Sequence, residues 1–376
     1  MACHTRRVRV LICPDKFAGT LSAPEVTEAV VAGWTQPGDE LIRRPLSDGG
    51  PGFLEVLAGA LAGRRVQVPT VDPLGRPVEG EILLVGATAY VESAHACGLH
   101  LLTGAERDPN IASSYGLGLL LTAAVEAGAT EIVIGLGGSA VNDAGAGMLA
   151  ALGAPPLDIA GYALPYGGAY LNAAAALGGV PRLRQVSLVA ATDVDNPLTG
   201  LHGASNVFGP QKGASRADVY RLDAALEQFA GVLEKAFGVA DLRGAPGGGA
   251  AGGIGAALIA LGGRVVSGIG LVSTAIGLDR ELDAADLVIT GEGSFDHQSL
   301  RGKVVAGIAN AARDRGLPCL VLAGRNETGY REAAAAGVTE TYSLTEHFGS
   351  TETAMSEPAR GLTELATRIS AQWSRR

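Results

Sequence analysis

The chain has 376 residues, 47% apolar and 18% charged, enough to bury a large core and to form two domains. Its net charge of −9 comes without a basic stripe, which excludes a nucleic-acid binder. Any anionic ligand must therefore be held by local devices: loop N–H groups, a few lysines or arginines, and a metal.

In chain order, the segment Met1 to Arg7 is polar and leads only into a short strand-like run, so no signal peptide is expected and the protein reads as cytoplasmic. The runs VRVLICPD (8–15), EIVIGLGG (131–138), VSLVAATDVDNP (186–197), DLVITGEG (286–293) and PCLVLAGR (318–325) are short, apolar and β-branched. They fit strands buried on both faces, as in a parallel sheet covered by helices. Helices are predicted over Ser22 to Gly33, where Ser22 and Glu25 have capping-box spacing, and over Ser113 to Ala127, Asn142 to Leu152 and Gly302 to Arg315. Segment 71–93 reads as a hairpin-rich insertion, with turns at Pro73-Leu74-Gly75 and Gly86, and 153–185 reads as loop.

Between Ile254 and Leu278, Arg264 and six glycines interrupt the apolar pattern, which predicts two buried elements and no membrane span. Cys3, Cys13, Cys97 and Cys319 lie far apart without metal-ligand spacing, as inert thiols of a reducing compartment do.

The alternation predicts an α/β protein of two unlike α/β domains. One is Rossmann- or flavodoxin-like with a mainly parallel sheet, formed by 1–70 plus 286–376. The other spans 71–285, and the active site is expected in the cleft between them. Ligands of open α/β sheets collect at the carboxyl ends of strands, and the unusual residues concentrate there.

GLGGSAVNDAGAG (135–147) satisfies G-x-G-x-x-A after a strand, so Gly137, Gly138, Ser139 and Asn142 are candidates to cradle a phosphate. Asn142 and Asp143 could equally cap a helix. PGGGAAGGIGAAL (246–258) offers Gly248, Gly249 and Gly252, either as anion-binding backbone or as a plain turn. No ribose-binding acid follows a strand about 20 residues after the 135–147 loop, which disfavours a dinucleotide site. P-loop and protein-kinase signatures are absent.

ITGEGSFDHQSLRGKV (289–304) brings Glu292, Ser294, Asp296, His297, Arg301 and Lys303 within a dozen or so residues. Such packing of acids and bases suits metal binding and charge neutralisation in phosphoryl transfer; a capped helix start is the plainer alternative. Asp15, Asp48, Asp193 and Asp195 add carboxylates at strand ends, where turns also favour Asp.

These blocks, with CPDKFAGTLSA (13–23), PLSDGGPG (45–52), SSYGLG (113–118), TDVDNPL (192–198) and FGPQKGAS (208–215), resemble the class I glycerate kinases, nearly end to end. The resemblance implies ATP, Mg²⁺, a small hydroxy-acid substrate and no nucleic-acid or membrane partner; monomer and homodimer both stay open. It implies Lys16, Lys212, Arg301 and Arg325 as carboxylate anchors, Asp193 with Glu292 or Asp296 as metal ligands, and Asp296 or Asp48 as general base. Lys303 would join the catalytic group, and the two glycine loops would hold nucleotide phosphates. Two positions depart from the family pattern. Ala18 stands where a second lysine is usual, and Pro51 where glutamate is more common. Ala18 keeps another small acid, such as erythronate or tartronate, in view as substrate, and a catalytically silent ligand sensor as a further alternative.

Overall fold

The computed structural model describes residues 7–183, 186–297, 299–300 and 304–373. The chain is α/β and divides into two compact units: Met1–Asp48, Glu55–Ala60 and Ile269–Arg376 form the first, and Gly49–Leu54 with Leu61–Gly268 the second.

In the first unit, the apolar runs pair as an all-parallel five-stranded sheet. Its spatial order is Glu340–Ser343, Cys319–Asn326, Leu287–Phe295, Arg9–Ile12, Glu40–Arg43. Counted along the unit's own sequence this is 5-4-3-1-2, the flavodoxin-like order, whose direction reverses between Arg9–Ile12 and Leu287–Phe295. Val10, Ile12, Leu287, Ile289, Leu320 and Leu322 are buried on one face and Leu11, Val288 and Val321 on the other, as strands covered on both faces require.

Helix Ala23–Gly33 starts as expected: Ser22 Oγ accepts from Glu25 N at 3.4 Å, and Ser22 N donates to Glu25 Oε2 at 2.8 Å. It packs against Pro358–Trp373 so closely that a Cβ on Gly33 would lie 2.1 Å from the carbonyl oxygen of Thr363. Thr363 and Thr367 donate their hydroxyls to the carbonyls of Ala29 and Gly33, both at 3.0 Å. The absence of a side chain at Gly33 is what lets the two helices meet.

The second unit holds a mixed six-stranded sheet. Arg264–Val266, Ser187–Ala191, Glu131–Gly135 and Thr88–Glu92 run parallel, and Pro77–Val85 and Arg64–Val71 extend it antiparallel. The last three strands in sequence order before residue 93 are the expected hairpins, turning after Asp72 and at Gly86. Helix Tyr115–Glu126 covers the sheet through Leu117, Leu120 and Leu121, while Arg216–Phe237 brings Leu226, Phe229 and Leu233 into the same core and packs against helix Ala250–Ala260.

Segment 254–278 resolves into helix Ala250–Ala260, strand Arg264–Val266 and helix Gly268–Ala275. Among the described residues no helix is long and apolar enough to cross a membrane. Cys13, Cys97 and Cys319 are buried free thiols; burial pushes all three up, Cys319 to about 12, so they stay protonated and unreactive.

The helix expected from Asn142 begins only at Ala146. Ala144 (φ 47°) and Gly145 (φ 71°) take left-handed conformations that a right-handed helix cannot contain. Asp143 stabilises this turn: its carboxylate accepts from the N–H groups of Ser114, Gly145 and Gly147 and from the Ser114 hydroxyl. It is fully buried, and burial raises its pKa against the pull of those bonds.

Candidate active site

The first unit carries a cavity of about 460 Å³ at the carboxyl ends of its central strands. Two segments meet there because the sheet order reverses between them: Asp15 to Ala18, after Arg9–Ile12, and Glu292 to Asp296, at the end of Leu287–Phe295. The turn after the first strand is fixed by Phe17 and Leu21, whose backbones bridge at 2.8 and 3.0 Å. Lys16 reaches back between two acids, with Nζ 3.8 Å from Asp15 Oδ1 and 3.4 Å from Asp48 Oδ1. Its side chain is only 22% exposed, so these charges interact with less screening than surface pairs do. Glu292 is buried, while Asp296 exchanges bonds with Ser299: its N–H donates to Ser299 Oγ at 3.1 Å and its Oδ1 accepts from Ser299 N at 3.3 Å. Asp296 therefore fixes its own turn while lining the cavity. Arg325 completes the lining and pairs with Glu327 at 2.5 Å.

Of the residues expected from sequence, Lys16, Asp48, Glu292, Asp296 and Arg325 are thus brought together, with Asp15 beside them. Arg301 and Lys303 lie outside the described residues. His297 is exposed and does not line the cavity.

The other expected residues belong to the second unit. Asp193 and Asp195 are exposed just past strand Ser187–Ala191, and Ser267 Oγ donates to Asp193 Oδ1 at 2.6 Å. Gly137 and Gly138 form the turn after Glu131–Gly135 and pack on the Gly49–Gly52 segment; a Cβ on Gly138 would lie 2.7 Å from Pro51 Cγ. Pro51, the unusual residue of its block, thus rests on the glycine turn. Glu92, which the sequence did not single out, holds the same segment from below. It is 3% exposed and accepts from the N–H groups of Gly52 and Leu54 at 3.1 and 3.2 Å.

Lys212 is 2% exposed, and its ammonium donates to Ser139 Oγ at 3.2 Å and to the Val141 carbonyl at 2.6 Å. Burial lowers its pKa to about 8, with Asp143 pulling the other way. Lys212, a candidate carboxylate anchor by sequence, braces the 138–142 loop from within in this structure. Asn142, fully buried, donates from Nδ2 to Ser205 Oγ at 2.9 Å.

Gly248, Gly249 and Gly252 have a packing reason of their own. Added Cβ atoms would meet Ala245 O at 2.9 Å, Pro197 O at 2.3 Å and Val141 O at 1.9 Å. Ala251, Gly252 and Gly253 are successive left-handed residues, and Ala144 N donates to Gly252 O at 3.0 Å, so this turn interlocks with the one at Asp143. Gly252→Ala combines a backbone clash with φ +69°. It is expected to cost about 2–5 kcal/mol, read as a lower urea midpoint; an unchanged midpoint would refute the interlocking of the two turns.

A flavodoxin-like sheet with carboxylates and a lysine clustered at its switch point has the form of a small-molecule site of an open α/β protein. Comparison with known proteins narrows the class. Residues 10–374 match the model of the glycerate kinase family. Glycerate 2-kinase of Escherichia coli (strain K12) is 43% identical over 325 residues, covering 84% of this chain and 85% of that protein. Glycerate kinase of Halalkalibacterium halodurans is 38% identical over 376 residues, covering 97% and 99%. The crystal structure of a provisionally assigned glycerate kinase 2 from Salmonella typhimurium LT2 is 38% identical. It superposes with a TM-score of 0.80, covering 98% of this chain and 99% of that one. The chain belongs to the glycerate kinase family, and so to the phosphotransferases with an alcohol group as acceptor.

Proposed function

We propose that this protein transfers the γ-phosphoryl group of ATP to the C2 hydroxyl of glycerate, giving 2-phosphoglycerate and ADP. The observation that carries the reading is the family match over residues 10–374, together with the cavity that gathers Asp15, Lys16, Asp48, Glu292 and Asp296. The kinase family implies ATP, and the name of the Escherichia coli relative supports C2 as the acceptor position.

Phosphoryl transfer asks a protein mainly for in-line positioning and for neutralised charge. In the proposed mechanism, Lys16 and Arg325 hold the negative charge of glycerate or of the phosphoryl group in flight, as does Arg301 from outside the described residues. Asp296 or Asp48 accepts the proton of the attacked hydroxyl as the new O–P bond forms and the bond to the ADP oxygen breaks. Lys212 acts through the loop it braces, which keeps Gly137, Gly138, Ser139 and Asn142 in place for the nucleotide phosphates. Gly248, Gly249 and Gly252 support that loop by packing.

The donor set fits Mg²⁺. Among the described residues no group of three or more His, Cys, Asp or Glu side chains could hold a metal by itself. Mg²⁺ does not need one, because it takes one or two carboxylates and completes its shell with phosphate oxygens and water. Glu292 and Asp193 are the proposed protein ligands. When bound, the ion neutralises the charge that develops on the transferring phosphate.

Coupled ADP release measured with glycerate, erythronate and tartronate tests the reading. Glycerate is expected to give the highest kcat/KM. Preference for another acid would move the substrate assignment, and no acid-dependent release would leave a ligand sensor.

A further inference from the structure

We propose that the cavity of the first unit is the seat of the nucleoside of ATP. The inference rests on the kinase reading above and assigns the apolar part of the cavity's lining. At about 460 Å³ the cavity lies in the range of pockets that enclose drug-sized ligands, roughly 300–1,000 Å³. A three-carbon acid fills a small part of that volume, whereas a purine nucleoside is large enough to occupy much more of it.

Beside the charged cluster around Lys16, the lining includes Phe17, Ala18, Ala354 and Met355, with Thr345 and Thr351 among them. Phe17 is buried at 2% exposure, whereas Met355 is 61% exposed although it lines the cavity, so much of this residue is open to a ligand. Ala18 is exposed on the turn held by Phe17 and Leu21 and carries only a methyl group there.

Glycerate has no apolar face to set against such side chains. A purine has two flat apolar faces and a polar edge, which match a soft thioether, small methyl groups and threonine hydroxyls. Thr345 donates its hydroxyl to the Gly324 carbonyl at 3.0 Å, which leaves the oxygen able to accept from an exocyclic amine. Base and ribose then lie against these side chains.

The test uses two exposed positions outside the charged cluster, Met355→Asp and Thr351→Trp. The first sets a charge in place of the thioether, and the second fills space along the same part of the lining. Binding of a fluorescent ADP analogue, and KM for ATP and glycerate varied separately, are measured on the full chain. Both variants are expected to weaken the analogue and raise KM for ATP about tenfold or more, with KM for glycerate within about twofold. A change confined to glycerate, or no change in either constant, would overturn the assignment. Wild-type protein that binds the analogue but phosphorylates no acid would refute the kinase reading and leave the nucleoside site standing. Wild-type protein that phosphorylates glycerate with both variants unaltered would do the reverse.

Discussion

Asp193→Asn is expected to lower kcat by about 10³-fold while leaving the urea midpoint where it was. The expectation comes from what Asp193 does and does not support. It is exposed, lies just past the end of strand Ser187–Ala191 and accepts a hydrogen bond from Ser267 at 2.6 Å. Asparagine keeps an oxygen that can accept the same bond, so the loop is retained and only the negative charge is lost. If that charge helps to hold Mg²⁺ against the ATP phosphates, turnover collapses and the apparent Mg²⁺ requirement rises. Steady-state rates over a magnesium titration check both effects. An unchanged kcat at saturating Mg²⁺ would remove Asp193 from the site.

Lys16→Ala is the second large effect. Lys16 is a cation at the switch point, 22% exposed, with Asp15 at 3.8 Å and Asp48 at 3.4 Å. Removing it strips a counter-charge from those two acids as well as from the incoming substrate. Loss of one partner of a partly buried charge pair costs roughly 2–5 kcal/mol, or about 30- to several-thousand-fold in kcat/KM. Arginine is not an equivalent replacement, because its planar fork needs more room than an ammonium between two carboxylates, so Lys16→Arg is expected to recover only part of the activity. Kinetics with glycerate and ATP varied separately measure the loss. Near-normal constants for both substrates in Lys16→Ala would return Lys16 to a structural role.

Much of the fold was legible because buried parallel strands announce themselves as apolar runs ending in Gly, Asp or Pro. Glu131–Gly135, Ser187–Ala191, Leu287–Phe295 and Cys319–Asn326 all fall on such runs. Helices Arg216–Phe237 and Pro358–Trp373 escaped for the opposite reason. In the first, the buried Val219, Leu222, Leu226, Phe229 and Leu233 recur three or four residues apart among charges, so no run forms and only helical periodicity shows them. The late start of the helix at Ala146 was hidden because a left-handed Ala144 leaves no trace in composition.

The candidate site was legible where chemistry is local, as in the cluster from Glu292 to Asp296. It was illegible where the fold assembles it. Glu92 acts on backbone N–H groups about 40 residues earlier in the chain, and Met355 joins Phe17 and Ala18 across most of the sequence. The glycine-rich segment at 247–253 was ambiguous in sequence, since phosphate cradles and tight interlocked turns both demand glycine; the short Cβ distances at Gly249 and Gly252 supply the packing reason.

Phosphorus NMR of a reaction containing the protein, ATP, Mg²⁺ and glycerate tests the central claim most directly. A phosphate ester on C2 couples to one proton and one on C3 couples to two, so the product reports its own position. The account predicts ADP together with a new monoester doublet, that of 2-phosphoglycerate, formed only when glycerate is present. A triplet from the C3 ester, or no phosphoester at all, would contradict it.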